Sequence, residues 1–161
     1  MKYYSYDIFQ NDKKHPELRE MSSYEYDEFF YEHDSVLDAI EYGMKMSEYA
    51  EEHLICIALD GKDKIKGVLT VGIGTVRSVS DNLKRTGSFL LLIGADSYIM
   101  CHNHTNGDSN ASGEDIFCSK KYVELSNIID IPCRGSFVVT DECYTHIESG
   151  NKYYFDWKEV I

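Results

Sequence analysis

The sequence lacks the features that mark secreted and membrane proteins. No two of its five cysteines have the CxxC spacing and their number is odd, so we expect reduced thiols rather than a disulfide framework. The longest apolar run, residues 89–95, is far too short to cross a bilayer. The first residues contain no apolar segment followed by a small-residue cleavage site, so no signal peptide is predicted. Together these absences predict a cytoplasmic protein without a membrane segment.

Basic residues are also scarce. The chain has 16 Lys and Arg against 28 Asp and Glu, which gives a net charge of −12. Residues 1–52 alone carry 14 acidic and 5 basic residues, a net charge of −9. Nucleic-acid binding depends on Lys and Arg that neutralise phosphates, so this balance argues against DNA and RNA as partners. A basic peptide or protein would be attracted instead.

The first 33 residues differ in composition from the rest of the chain. They are acidic, yet they contain nine aromatic residues. Disordered tails are usually poor in aromatics, so we predict that this acidic aromatic extension packs as additional core and edge structure. Autoinhibition or docking of a partner is the alternative. Residues 34–161 have the length of a single domain.

Hydrophobic periodicity predicts alternating helices and strands in residues 34–161. Apolar residues at helical spacing predict a first helix with a cap at Asp34 or Ser35 and an end near Ala50. The continuous apolar run at 54–59 is typical of a strand covered on both faces. The other predicted elements are strands at 65–71 and 97–101, helices at 81–93 and 113–128, a hairpin of 135–140 with 144–148, and a last strand at 153–157. This order predicts an α/β or α+β fold around a mixed sheet.

Residues 101–116 carry the strongest chemical signal. His102 and His104 are two positions apart at the end of a predicted strand, so their side chains project to the same side. Asp115 follows eleven residues after His104, in the first turn of a predicted helix capped by Ser112. Two imidazoles and one carboxylate are the ligand set of a catalytic Zn²⁺, which leaves the fourth position for water. Ser112 can also offer a hydroxyl to an oxyanion.

Such a site needs a general base that takes a proton from the water and passes it to the leaving amine. Glu52 stands immediately before the buried strand at 54–59, where a carboxylate could point into the same cleft. Spacing alone does not select Glu52 among 28 acidic residues.

The spacing His-x-His, seven residues, Ser, two residues, Asp resembles the JAMM metal signature of JAB/MPN-domain metallohydrolases. Residues 102–108, HNHTNGD, are similar to HNHPSGD, the usual form in the bacterial RadC branch. Residues 52–54, EHL, are similar to the E-H-F that precedes the first core strand of that branch. The resemblance covers about two-thirds of the chain, and the linked upstream Glu makes it specific.

The resemblance implies His102, His104 and Asp115 as ligands of Zn²⁺, Glu52 as general base and Ser112 as oxyanion partner. It implies a JAB/MPN fold, related in layout to cytidine deaminases, in which helices sandwich a curved β-sheet. JAMM relatives hydrolyse peptide or isopeptide bonds, so the expected function is that of a zinc metallopeptidase acting on a peptide or protein.

Three departures from the family pattern bear on this interpretation. Thr105 replaces the customary Pro, which removes no ligand, and a later Asp-His pair of the family stands here as Gly135-Ser136. The helix-hairpin-helix region that often precedes the domain is not found, which weakens a DNA-binding interpretation. The alternatives are a non-catalytic JAB/MPN interaction module and a RadC-like protein associated with DNA repair or mobile elements.

Overall fold

The computed structural model describes residues 1–26, 36–74 and 79–159, with only the backbone described for residues 79–81. The helix cap predicted at Asp34 or Ser35 lies outside these residues. No helix in the described part of the chain is long and apolar enough to cross a membrane.

The described residues form eight strands and three α-helices. The strands are β1 (Lys2–Gln10), β2 (Pro16–Glu25), β3 (His53–Leu59), β4 (Ile65–Ile73), β5 (Ser97–Asn103), β6 (Cys133–Val139), β7 (Cys143–His146) and β8 (Lys152–Tyr154). The helices are α1 (Val36–Met44), α2 (Val79–Ile93) and α3 (Gly113–Ile129), with short 3₁₀ helices at Met46–Glu48 and Asp156–Glu159. This composition confirms the predicted mixed α/β class.

All eight strands belong to one sheet, in the order β2-β1-β4-β3-β5-β6-β7-β8. β1 runs parallel to β4 and β5 runs parallel to β6, whereas the other neighbours are antiparallel. β3 and β5 lie in the middle of this mixed sheet, so hydrogen bonds to neighbours on both sides fix their backbones.

β3 is buried on both faces, as its apolar run predicts. Ile55 and Ile57 pack with α1 on one face of the sheet. Cys56 and Ala58 pack with α2 and α3 on the other face. Because side chains alternate along a strand, one continuous apolar run supplies two separate cores. Helices therefore cover both faces of the sheet, as in the predicted layered fold.

The acidic N-terminal segment contributes β1 and β2 to the sheet. Tyr3 of β1 is 1% exposed, and its hydroxyl donates to the carbonyl of Ala39 in α1 at 3.2 Å. Its ring stacks on Tyr24 with centroids 5.3 Å apart. Gly43 leaves the space that this hydroxyl fills, since a Cβ there would collide with it. The hairpin of β1 and β2 thus forms core and edge structure, while the domain boundary between residues 33 and 34 stays a prediction.

The predicted end of the first helix was wrong. α1 ends at Met44 rather than near Ala50, because Lys45 adopts a left-handed conformation with φ 53°. The carboxylate of Glu41 is buried and accepts a hydrogen bond from the backbone N–H of Ser47 at 3.1 Å. This bond turns the chain into the 3₁₀ helix at Met46–Glu48.

The last strand, predicted at 153–157, is also shorter than expected. β8 ends at Tyr154, and Asp156–Glu159 form a 3₁₀ helix instead. The indole Nε1 of Trp157 donates to Asp38 at 2.8 Å, and Lys158 Nζ donates to the buried carboxylate of Glu41 at 2.8 Å. These side-chain bonds to α1 draw the segment away from the sheet.

Replacing Ile57 by Ala should lower the free energy of unfolding by about 2–5 kcal/mol, because truncation leaves a cavity at a fully buried position. Ile73 in β4 is the matched control, since it is 59% exposed, and Ile73→Ala should change stability by less than about 0.5 kcal/mol. Denaturant unfolding of both variants measures the difference. Equal losses would contradict the two-sided burial of β3.

Candidate metal centre

β5 carries two histidines to one face of the sheet. The strand continues past the predicted range of 97–101, because Asn103 pairs with Val139 of β6 and the N–H of His104 donates to the same residue at 3.1 Å. His102 and His104 therefore both continue the extended backbone of the strand. Since side chains alternate, both project towards the face covered by α2 and α3.

The N-terminus of α3 supplies a carboxylate to the same place. Ser112 is the N-cap of α3, as predicted, and its Oγ accepts a hydrogen bond from the N–H of Asp115 at 3.1 Å. The carboxylate of Asp115 in turn accepts from the N–H of Ser112 at 2.8 Å. This reciprocal capping box satisfies two backbone donors at the helix end. It also fixes where the Asp115 carboxylate points.

The side chains of His102, His104 and Asp115 converge. The Nε2 atoms of the two imidazoles are 3.1 Å apart. Oδ1 of Asp115 lies 3.1 Å from Nε2 of His102, and Oδ2 lies 3.1 Å from Nε2 of His104. Tetrahedral ligands at about 2.0–2.1 Å from a zinc ion would be about 3.3–3.4 Å apart, so these three donors stand near the required spacing. This group can hold a metal ion.

A hydrogen bond sets the tautomer of His104. Its Nδ1 lies 2.7 Å from the backbone carbonyl oxygen of Asp108. A carbonyl only accepts, so Nδ1 carries the proton, and in the neutral ring Nε2 presents a lone pair. That lone pair faces an oxygen of the Asp115 carboxylate, which is also an acceptor. Two acceptors at this distance repel each other unless a proton or a metal ion lies between them.

The electrostatics of the site accordingly favour a cation. The hydrogen bond with Asp115 raises the pKa of His104. Burial would raise the pKa of Asp115, yet its bonds with His102 and His104 hold that pKa well below the usual range. A metal ion must therefore compete with protons for this group, and binding should weaken as the pH falls.

A cavity of about 360 Å³ opens beside the three side chains. All five predicted site residues line it, namely Glu52, His102, His104, Ser112 and Asp115. The negative charge of Glu52 contributes to the raised pKa of His104. Apolar side chains form another part of the wall, namely Leu54, Met100, Tyr122 and Ile147. The structure thus brings the predicted residues together, while their chemical roles stay predictions.

The Gly-Ser pair that departs from the family pattern fits its surroundings. Ser136 is 7% exposed and lines the cavity. Gly135 has φ +145°, and a Cβ there would lie 2.9 Å from the ring of Phe137 and 3.2 Å from the ring of His146. Any larger residue at position 135 would require those aromatic rings to move.

Sequence reasoning missed the residues that hold the predicted site residues and their neighbouring segments in place. The backbone carbonyl of Asp108 orients His104. Every residue has such a carbonyl, so the identity of residue 108 does not reveal this contact. Lys152 of β8 donates to Ser109 Oγ at 2.7 Å and ties the loop before α3 to a strand 43 residues away. Asn103 bonds to the backbone beside Glu52. The position of Asn103 between His102 and His104 was the one feature of the sequence that could have pointed to it.

His104→Ala should remove most of the metal that the wild-type protein holds, about one ion per chain, because the two remaining protein ligands bind weakly. His146→Ala is the matched control and should keep its metal, since His146 bonds to Ser149 and does not line the cavity. Elemental analysis after zinc loading and dialysis measures both, and wild-type occupancy should fall as the pH is lowered, because His104, whose pKa is raised, then takes up a proton in place of the metal. Equal metal content in His104→Ala and wild type would rule out the site.

Comparison with known proteins assigns the chain to a family. A family model described as the RadC-like JAB domain matches residues 32–151. Similar proteins include UPF0758 proteins from Desulforamulus reducens (30% identical over 98 residues, 61% of this chain and 43% of the relative) and Bacillus velezensis (29% over 112 residues, 69% and 48%). Another, from Methanosarcina mazei, is 30% identical over 104 residues, 65% of this chain and 45% of the relative.

The matched region therefore spans less than half the length of these relatives. The family match, in contrast, extends over most of this chain and includes Glu52 and every residue of the candidate metal centre. On that ground the chain belongs to the RadC-like JAB domain family.

Proposed function

We propose that this chain is a zinc-dependent hydrolase that cleaves peptide or isopeptide bonds. The observation that supports it most strongly is that two hydrogen-bond acceptors, His104 Nε2 and Asp115 Oδ2, face each other at 3.1 Å on the wall of a cavity. A cation between these two acceptors removes their repulsion, and the adjoining cavity can receive a substrate amide. Membership of the JAB-domain family, which includes hydrolases, supports the same chemistry.

Zinc is the proposed metal because of the donor set. Two imidazole nitrogens and one carboxylate are typical of catalytic zinc, whereas Mg²⁺ and Ca²⁺ favour oxygen ligands. When bound, zinc would supply Lewis acidity that lowers the pKa of a water molecule and polarises the scissile carbonyl. His102, His104 and Asp115 would hold it from one side, which leaves the cavity side open to substrate.

Glu52 and Ser112 are the proposed groups that move protons and stabilise charge. Glu52 would accept the proton of the attacking water and deliver it to the leaving amine. Ser112 accepts the N–H of Asp115 through a lone pair of Oγ, so its hydroxyl proton can point into the cavity. There it would donate to the oxyanion that forms from the scissile carbonyl.

The charge of the cavity indicates the class of substrate. Asp108 and Glu114 line it together with Glu52, next to the apolar wall. We therefore propose a peptide or protein substrate with basic residues near the scissile bond, because acidic walls attract cations and repel phosphates. We also propose that the protein acts in the cytoplasm, where its five free cysteines would stay reduced.

Glu52→Gln should keep the metal and the fold but lose about a hundredfold or more of the hydrolysis of a confirmed substrate, because it removes the proton acceptor without removing a ligand. Glu51→Gln is the matched control, since it removes the neighbouring carboxylate, which is exposed, and should leave the rate unchanged. His102→Ala should lose both metal and activity. Single-turnover rates together with elemental analysis separate these outcomes.

Two results would change the proposal. A wild-type rate for Glu52→Gln would show that Glu52 is not the general base. If the metal-loaded protein cleaves nothing in a broad peptide and isopeptide screen yet captures a partner, the non-catalytic interaction module replaces the hydrolase. Equal capture by His102→Ala would further show that the partner does not need the metal.

Binding to duplex DNA should be negligible at physiological salt, because a net charge of −12 provides no excess of cations to neutralise phosphates. A fluorescence anisotropy titration at several salt concentrations measures this. Sub-micromolar, salt-sensitive binding would contradict it and favour the DNA-associated alternative.

A further inference from the structure

We propose that Asn103 is a positioning residue that holds Glu52 in the cavity, an inference that rests on the proposed hydrolase function. The antiparallel pairing of β3 with β5 ends at the pair Leu54–His102. Beyond that pair, the side chain of Asn103 bonds to the backbone of the neighbouring strand. Its Oδ1 accepts from the N–H of His53 at 2.7 Å, and its Nδ2 donates to the carbonyl of Glu51 at 3.1 Å.

These two bonds fasten the peptide groups on either side of Glu52. The carbonyl of Glu52 itself accepts from the N–H of Gly74 at 2.8 Å, so the residue that follows β4 holds the same segment from its other side. Asn103 is 0% exposed, and its amide therefore bonds within the protein and has no access to solvent. Fixing the backbone of a residue fixes the direction in which its side chain leaves the chain.

The identity of residue 103 suits this task. An amide offers an acceptor and a donor on one short side chain, whereas Asp would lose the donor and bury a charge. Asn103 also lies between His102 and His104, so the strand end that carries two ligands also anchors the proposed base. Hydrogen bonds then set the distance from the proposed base, Glu52, to the ligands. Without these bonds, the segment that precedes β3 could rotate freely.

The first test uses the metal-free protein and needs no substrate. Asn103→Ala should raise the hydrogen-exchange rate of the His53 amide at least tenfold, as measured by NMR, because that N–H loses its acceptor. Zinc content after loading should equal that of wild type, since Asn103 is not a ligand. Tyr3→Phe is the matched control, because it removes a buried hydrogen bond on the opposite face and should leave His53 protected. An unchanged His53 amide in Asn103→Ala would overturn the proposal.

The second test asks whether Asn103 acts through Glu52. On a confirmed substrate, Asn103→Ala should lower kcat about tenfold with KM unchanged, and it should lower kcat no further in the Glu52→Gln background. An unchanged kcat, or the same loss in both backgrounds, would overturn the positioning role. Asn103→Ser, a smaller change, replaces Asn103→Ala in both tests if the latter does not fold.

The two proposals can fail separately. If the metal-loaded wild type cleaves no substrate, the hydrolase proposal fails, and loss of His53 protection in the Asn103 variant still shows that the amide holds the Glu52 segment. If the wild type cleaves a substrate but His53 stays protected in the variant, the hydrolase stands and the role of Asn103 is refuted.

Discussion

The capping box between Ser112 and Asp115 is the interaction on which the rest of the candidate site depends. The carboxylate of Asp115 has two roles in it. It caps the N-terminus of α3, and it also contacts the imidazoles of His102 and His104. A helix end needs an acceptor for its first N–H groups, and a positive partial charge there favours an anion. The carboxylate is thus held in place by the backbone before any metal binds, and little ordering is left for the metal to impose.

The histidines are preorganised in a different way. β5 has hydrogen-bonded neighbours on both sides and helices over both faces, so its end moves little relative to the sheet. The carbonyl of Asp108 then sets the tautomer of His104. A metal centre of this kind joins two elements from different layers, a central strand and a covering helix. Its rigidity follows from the packing of those layers.

Much of this architecture follows from local patterns in the sequence. The apolar run of β3 and the Ser112 cap of α3 are each encoded within a few residues, and both match the prediction. The ends that were predicted wrongly depend on individual side-chain hydrogen bonds, which hydrophobic periodicity does not encode. The buried carboxylate of Glu41 bonds to Ser47 and Lys158, which shortens one helix and redirects the C-terminal segment. Ser47 lies only six residues from Glu41, but Lys158 lies 117 residues away, so no local stretch of sequence contains both partners of that second bond.

The candidate site likewise contains residues that follow from local sequence and one that depends on a distant pairing. His102, His104 and Asp115 fall within 14 residues, so their spacing predicts a ligand set. Glu52 lies outside that window, and the register of one strand pair decides whether it belongs to the site. Because Leu54 pairs with His102, and residues two apart share a face, Glu52 is directed to the face that carries both histidines. A slip of one residue between β3 and β5 would turn that carboxylate to the opposite face while every ligand stayed in place. The place of Glu52 beside the ligand group therefore depends on strand register, which a metal-binding motif does not encode.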